Sequence, residues 1–137
     1  MSYIFKYSFL FTFGGLAYLL IEIMFRGYTH WSMGILGGLC FVFIGLINTI
    51  MGFNFSLILQ MLISSIIITI LELLTGLLLN VYLDLNIWDY SAMPFNFMGQ
   101  ICLPFSIGWF FLSLVAIFAD DFIRWKIFHE SKPHYRL

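Results

Sequence analysis

Four long apolar runs dominate this sequence and leave little room for any other kind of structure. They cover residues 7–25, 33–51, 56–79 and 97–119, and only short polar or aromatic stretches separate them. An α-helix needs roughly 20 mostly apolar residues to cross the hydrocarbon core of a bilayer. The runs therefore predict an all-α polytopic membrane protein, a single domain built as a bundle of four transmembrane helices.

The composition excludes a water-soluble fold and several kinds of partner. Hydrophobic residues make up 62% of the chain and charged residues 9%, whereas soluble domains are typically about 45–50% apolar and about 25% charged. No basic face of the kind that binds nucleic acid is evident, so we expect no nucleic-acid partner. Cys40 and Cys102 lie inside apolar runs without the spacing of a zinc site. We therefore expect no metal and no other cofactor.

The distribution of Lys and Arg predicts how the bundle is oriented. These cations are retained on the cytoplasmic side when they lie near the ends of spans. With four spans, Lys6 and the four cations of residues 120–137 share one side, and Arg26 alone lies on the other. We therefore expect both termini in the cytoplasm, an interfacial cytoplasmic tail over 120–137, and external loops at 26–32 and 80–96.

Glu22, Arg26 and Glu72 form the predicted polar site. The topology brings Glu22, near the outer end of the first run, to a similar depth as Glu72, in the outer half of the third. An ionised group in hydrocarbon is costly, so such residues face the bundle interior and find a partner. Arg26 follows Glu22 by four residues, which is the favourable order on a helix, and it can also reach Glu72. With Asp89, these residues predict an outward-facing ion or substrate path, and the competing interpretation is a structural ion pair.

The segment between the third and fourth runs is too polar to span a membrane and too aromatic for an ordinary flexible loop. We expect it to fold back onto the bundle as an ordered external loop, with Asp89 accepting from the Ser91 amide and Asn96 capping the fourth helix. Pro104 is expected to kink that helix. This external lid, either a solute gate or a rigid spacer, comprises His30, Trp31, Trp88, Tyr90, Ser91, Pro94 and Asn96.

The sequence carries no recognisable catalytic motif. The patterns G-x-S-x-G, H-E-x-x-H and G-x-x-x-x-G-K-[ST] are absent, so the signatures of a nucleophile elbow, a zinc protease and an ATPase are missing. No Ser/His or Cys/His pair is evident that could supply an activated nucleophile. We therefore expect a protein that is not an enzyme and assign no catalytic residue.

One block in the second half of the chain resembles a known family. It consists of Glu72-Leu73-Leu74-Thr75-Gly76, Trp88-Asp89-Tyr90-Ser91, Pro94-Phe95-Asn96 and Gly99-Gln100-Ile101-Cys102-Leu103, with Ser106 and Trp109. Over about residues 72–109 the chain resembles the "putative ABC transporter type IV" permease family of small Firmicutes membrane proteins. The resemblance implies a permease-like protein of the bacterial cell (plasma) membrane, with a separate ATP-binding subunit as a partner.

Two classes of function remain open at this point. The first is a membrane transport or permease-like subunit that works as a homo-oligomer or with other membrane subunits, because four helices alone enclose little space. The second is a non-transporting membrane assembly or regulatory protein whose charged residues are structural. A holin-like pore former is a third class, which the fixed acids and the ordered external segment disfavour.

Overall fold

Four long helices form the bundle that the apolar runs predict. The computed structural model describes residues 3–52 and 55–137. Within them, α1 spans Tyr3–Arg26, α2 spans Trp31–Met51, α3 spans Leu57–Gly76 and α4 spans Leu103–Lys126. All four are long and apolar enough to cross a bilayer. The third candidate span includes α3 and the helical stretch that follows it, and it ends at Tyr82. The prediction of a helical bundle with four helices long and apolar enough to span a membrane is confirmed.

The helices alternate in direction, so the bundle has two distinct ends. The loop end holds the α1–α2 turn and the connecting segment, which we define as residues 77–102 between α3 and α4. The terminus end holds the start of α1, the end of α2, the start of α3 and the residues after α4. α1 packs against α2, α3 packs against α4, and α2 touches both α3 and α4. The main core consists of Met33, Leu36, Cys40, Ile44, Leu57, Met61, Ile68, Trp88 and Ile117.

Large apolar side chains cover the outside of the bundle as well as its core. Leu16, Ile50, Ile70 and Phe111, one on each helix, are all exposed. In water such a surface would be unfavourable, but in a bilayer it contacts lipid chains that are equally apolar. Because each helix satisfies its own backbone hydrogen bonds, it can present this surface to hydrocarbon. The outer surface therefore fits a membrane-embedded bundle.

Glycines let α1 and α2 approach closely. A Cβ atom added to Gly15 would lie 2.6 Å from the backbone oxygen of Gly34, and one added to Gly38 would lie 2.7 Å from the backbone oxygen of Phe11. Gly34 and Gly38 are the G-x-x-x-G pair of α2, a spacing typical of close helix contacts in membranes. The close approach expected of this pattern is present between α1 and α2.

Hydroxyl groups join α3 to α4 inside the bundle. The Ser65 hydroxyl donates to the Ser106 carbonyl at 2.6 Å, and the hydroxyls of Thr69 and Ser106 lie 2.9 Å apart. Interhelical bonds of this kind contribute about 0.6 kcal/mol on average in a membrane protein. They help to fix the register of the two helices.

The connecting segment folds onto the loop end of the bundle. It begins with a π-helical stretch, Leu77–Tyr82, and ends in a short antiparallel pair, β1 (Asn96–Phe97) with β2 (Ile101–Cys102). Trp88 is buried in the main core, and its indole nitrogen donates to the Gln100 carbonyl at 2.9 Å. The segment is therefore ordered and packed on the helices.

Two local predictions about the start of α4 are wrong. Pro104 lies in the first turn of the helix, where its missing N–H leaves no helical hydrogen bond unmade, so it starts α4 instead of kinking it. Asn96 lies in β1 and does not cap the helix, whose N-cap is Cys102. The Asn96 amide instead donates to the carbonyls of Ser91 and Met93, at 3.2 and 2.8 Å. Asn96 thus holds the connecting segment in shape.

α4 continues past residue 119 and ends at Lys126. Residues 127–137 then turn back across the terminus end. The backbone N–H of Leu57 donates to the carbonyl of Arg136 at 2.6 Å, and Ser56 pairs with Arg136 as a parallel bridge. The end of the described chain is thereby attached to the start of α3.

Gly15→Ala should destabilise the bundle, because the new methyl group meets a backbone oxygen of α2 that cannot move aside. We expect a loss of about 1–3 kcal/mol, the usual cost of overpacking. The measurement is thermal unfolding in detergent, followed by circular dichroism. Gly108→Ala is the matched control, because nothing lies within 4 Å of a Cβ atom at Gly108. Equal unfolding midpoints for the two variants would contradict the close packing of α1 on α2.

Candidate functional site

Glu72 is a buried carboxyl group that lacks a basic partner. It lies on α3, and its residue is only 2% exposed. The Trp109 indole nitrogen donates to Oε1 at 3.5 Å, and the Tyr90 hydroxyl donates to Oε2 at 3.4 Å. Both bonds are at the long limit of hydrogen bonding. No Lys, Arg or His of the described residues lies within 4.0 Å of this carboxyl group.

Aromatic side chains from three parts of the chain surround Glu72. Tyr18 of α1 and Trp109 of α4 have ring centroids 6.0 Å apart, and Tyr90 of the connecting segment stacks on Phe105 at 4.8 Å. Burial, and next the nearby Glu72, raise the pKa of the Tyr90 hydroxyl, which therefore keeps its proton and donates to the carboxyl group. The site combines one acid with several aromatic groups.

Glu22 and Arg26 form the ion pair that their spacing predicts. Arg26 Nε lies 2.6 Å from Glu22 Oε2, and the Tyr18 hydroxyl donates to Glu22 Oε1 at 2.9 Å. Arg26 Nη1 also donates to the Ile87 carbonyl at 3.3 Å, and its guanidinium lies over the Tyr28 ring. Arg26 thus binds Glu22 and the connecting segment, and it does not contact Glu72.

Tyr18 connects the two carboxyl groups of the predicted site. Its hydroxyl bonds to Glu22, and its ring faces Trp109, which bonds to Glu72. Glu22, Arg26 and Glu72 therefore lie toward the same end of the bundle, as the sequence predicts. The predicted second contact, between Arg26 and Glu72, is not present among the described contacts. The sequence analysis named Tyr90 and Trp109 but did not place them or Tyr18 beside the acids, because these residues are far apart along the chain.

A largely apolar cavity of about 210 Å³ lies beside Glu72 and is lined by all four helices. Glu72 is the only acidic or basic residue among the lining residues that the structure describes. The exposed lining residues Phe13, Ile21 and Val115 belong to α1 and α4. The cavity therefore opens sideways between these two helices, toward the position that lipid occupies.

The interior face of α3 carries further polar groups. Gln60, Ser64, Ile68 and Glu72 follow one another at intervals of four residues, and all four are buried. This spacing places them in one row on a helix. Gln60 was not predicted as a site residue, although its spacing from Ser64 and Glu72 indicates that all three share one face of α3. Polar side chains thus continue along α3 from Glu72 toward the terminus end, and the apolar Ile68 lies between Glu72 and Ser64.

A second ionic cluster lies buried at the terminus end. Asp120 and Asp121 are only 1% and 2% exposed, and Arg124 is also buried. Arg124 Nε pairs with Asp120 Oδ2 at 2.9 Å, and its Nη1 donates to the Thr49 hydroxyl of α2 at 3.2 Å. Asp120 packs against Gly45 so closely that a Cβ atom there would clash with the carboxyl group. This pair fastens α4 to α2.

The chain ends extend this cluster toward the surface. Glu130 pairs with Lys6 at the start of α1 and lies 3.8 Å from Arg124 Nη1. The Tyr135 hydroxyl donates to Asp121 at 2.8 Å, and burial together with this bond raises the Tyr135 pKa. The predicted interfacial tail begins at residue 120, whereas in the structure residues 120–126 belong to α4 and Asp120, Asp121 and Arg124 are buried. The interval of four between Asp120 and Arg124 was the signal for an inward-facing pair.

Asp89 lies apart from the Glu72 site. It is exposed, and its Oδ1 atom accepts from the Ser91 amide at 2.9 Å and from the Ser91 hydroxyl at 2.5 Å. The predicted turn at Asp89 is confirmed. These bonds favour the ionised form and lower the Asp89 pKa. The carboxylate stabilises the connecting segment and does not line the cavity.

The remaining residues of the predicted lid have separate positions. Trp88 and Tyr90 pack onto the bundle, whereas Trp31 and Pro94 are exposed. His30 Nδ1 lies 2.6 Å from the Ser32 hydroxyl and accepts from the Ser32 amide at 3.2 Å. His30 therefore stabilises the start of α2. Among the described lid residues, Tyr90 is the one that contacts Glu72 directly.

Comparison with known proteins identifies one family. A family model described as "Putative ABC-transporter type IV" matches residues 7–134. The match covers α2, α3, α4 and most of α1. No curated protein and no solved structure matches the chain.

Arg124→Leu should strongly destabilise the protein, because it leaves the Asp120 carboxyl group buried without its cation. Breaking one side of a buried pair costs about 3–5 kcal/mol. The measurement is unfolding of the purified protein in detergent. Lys126→Leu is the control, since Lys126 is exposed in the last turn of α4, and it should change stability little. The double variant Arg124→Leu, Asp120→Asn should recover part of the loss. A single Arg124→Leu variant as stable as the control would show that the pair is unimportant.

Proposed function

The chain belongs to the family described as "Putative ABC-transporter type IV", and from this premise we propose that it is a membrane transport subunit whose ion- or substrate-binding residue is Glu72. The observation that carries the proposal is a buried carboxyl group that lines a cavity and has no basic partner among the described residues. Ionisable residues inside membranes are expensive and commonly mark substrate, ion or proton pathways.

The contrast between Glu22 and Glu72 supports this choice. Glu22 is already neutralised by Arg26 at 2.6 Å, so it needs no ligand. Among the described residues, Glu72 is contacted by the neutral donors Trp109 and Tyr90 and by no cation. A carboxyl group in this position can be neutral when it holds a proton, or ionised when a cation lies beside it. Exchange between these two states is the elementary step of cation-linked transport.

The charge distribution supports an orientation for this subunit. Lys6, Lys126, Lys132 and Arg136 lie toward the terminus end, and Arg26 lies at the loop end. Since cations are retained in the cytoplasm, the terminus end is cytoplasmic and the loop end faces outward. The Glu72 site then lies closer to the outer face of a bacterial plasma membrane, beneath the external connecting segment.

Partners follow from the small space that four helices enclose. A cavity of about 210 Å³ is not a path across a membrane, so transport requires a homo-oligomer or other membrane subunits. A separate ATP-binding subunit would bind at the cytoplasmic terminus end. The alternative function, a non-transporting assembly or regulatory protein, draws support from the closed pairs of Arg26 and Arg124, which need no ligand.

Glu72→Gln should abolish cation or proton flux into liposomes that contain the purified protein or its native complex. We expect a fall of about tenfold or more, because the glutamine cannot exchange its charge. Asp84→Asn is the control, because Asp84 is exposed and its positive φ of 54° is tolerated by asparagine. Unchanged flux in Glu72→Gln would contradict the role of Glu72. Absence of flux, with a stoichiometric partner lost on deleting residues 127–137, would favour the alternative function.

The orientation is tested by cysteine labelling in intact cells. Ala92 lies exposed in the connecting segment and Ser131 lies exposed after α4, while the native Cys40 and Cys102 are buried. A membrane-impermeant maleimide should label Ala92→Cys from outside, and it should label Ser131→Cys only after the cells are permeabilised. The unmodified protein is the background control. The reverse pattern would invert the assigned topology.

A further inference from the structure

We propose that the ligand of the Glu72 site is a lipophilic organic monocation, a quaternary or protonated amine that carries an apolar group. The inference rests on the proposed function and names the substrate class of that same site. Three features of the described residues lead to it: the unpaired acid, the aromatic rings beside it, and the apolar cavity that opens to the side.

Charge complementarity sets the first requirement. The Glu72 carboxyl group is 2% exposed, faces the cavity and has no basic partner among the described residues. One acid balances one positive charge, because Glu22 is already paired with Arg26. A ligand with a single positive charge therefore leaves the site neutral, whereas a neutral ligand forms no ion pair with the acid and an anionic ligand is repelled by it.

The aromatic rings favour an organic cation over a metal ion. The rings of Tyr18 and Trp109 line the same cavity as Glu72, and aromatic faces attract quaternary ammonium groups. Calcium takes 6–8 oxygen ligands and magnesium requires near-octahedral coordination. Of the lining residues that the structure describes, Glu72 alone carries a carboxyl group. The described residues contain no group of three His, Cys, Asp or Glu that could hold a metal ion. A weakly hydrated cation suits this site better.

The cavity accommodates the apolar group of such a ligand. Its volume is about 210 Å³, and Gly14, Ala17, Ile68 and Ala116 contribute to its lining. A protein cavity of about 150 Å³ lined by apolar side chains binds benzene, so this space is large enough for an aromatic ring or a short alkyl chain. The cationic group would lie at Glu72 and the apolar group along the cavity.

The direction of the opening suits a ligand that enters from the lipid. Val115 is 62% exposed and Phe13 is 41% exposed, and they lie on α4 and α1 at the mouth of the cavity. The connecting segment packs over the loop end, with Trp88 buried in the core. An amphipathic cation that partitions into the bilayer reaches Glu72 without displacing this segment.

The test uses benzyltrimethylammonium and its uncharged shape analogue, neopentylbenzene, with the purified protein in detergent and binding measured by titration calorimetry. The unmodified protein should bind the cation, and the neutral analogue should bind about tenfold or more weakly because it gains nothing from the acid. Glu72→Gln should weaken cation binding by about tenfold or more, whereas Asp84→Asn should stay within about twofold, since an exposed charge contributes little.

A second variant tests the cavity without changing the acid. Ala17→Leu should fill part of the cavity and weaken benzyltrimethylammonium binding by about fivefold or more, because the benzyl group and the new side chain compete for one space. Thermal unfolding of each variant verifies that it remains folded. Unchanged cation affinity in both Glu72→Gln and Ala17→Leu would overturn the inference, as would equal affinity for the cation and the neutral analogue.

Two further outcomes separate this inference from the proposed function. If proton or inorganic cation flux depends on Glu72 but benzyltrimethylammonium neither binds nor inhibits that flux, the inference fails and the transport role stands. If benzyltrimethylammonium binds in a Glu72-dependent manner but neither the protein nor its native complex supports any flux, the site stands and the transport role fails.

Discussion

The cost of a charged group in hydrocarbon governs how this bundle is arranged. Charged side chains within the spans must turn inward and be neutralised there, because lipid offers them no hydrogen bonds. Glu22 meets this requirement through Arg26, and Asp120 meets it through Arg124, each four residues along the same helix. Glu72 departs from the pattern, since its partners within the described part of the chain are neutral donors. Glu22 and Asp120 therefore stabilise the fold, whereas Glu72 is suited to binding a ligand.

Arg26 and Arg124 form similar contacts at opposite ends of the bundle. Each forms a local ion pair and then bonds to a distant element: Arg26 reaches the Ile87 carbonyl of the connecting segment, and Arg124 reaches Thr49 of α2. Both ends of the bundle are therefore held by charged side chains that also link separate parts of the chain. Between the ends, packing depends on apolar contacts, on glycines and on a few hydroxyl bonds. The cavity lies in this middle region, where little besides Glu72 is charged.

The candidate site was accessible to sequence reasoning only in part. Glu22 and Arg26 could be paired because an interval of four residues on a helix fixes their distance. Asp89 was grouped with them because it follows α3 at the same end, yet its carboxylate bonds to Ser91 at the surface. Asp120 was assigned to the interfacial tail because aromatic and basic residues alternate after it. Hydrophobicity along a chain does not show whether a charged side chain at the membrane boundary points outward or inward. An inward position becomes favourable when a buried partner of opposite charge is present, and the partner is not visible in the hydrophobicity.

By itself the sequence determined that four long apolar helices form a bundle, that Glu22 pairs with Arg26, and that the chain turns at Asp89. These features depend on hydrophobicity and on intervals of a few residues, which local geometry translates directly into structure. Only the tertiary structure decided that Tyr18, Trp109 and Tyr90 meet around Glu72, that a cavity opens between α1 and α4, and that Arg124 lies inside the bundle. Each of these depends on which side chains of distant segments face one another, and that is set by how the helices pack.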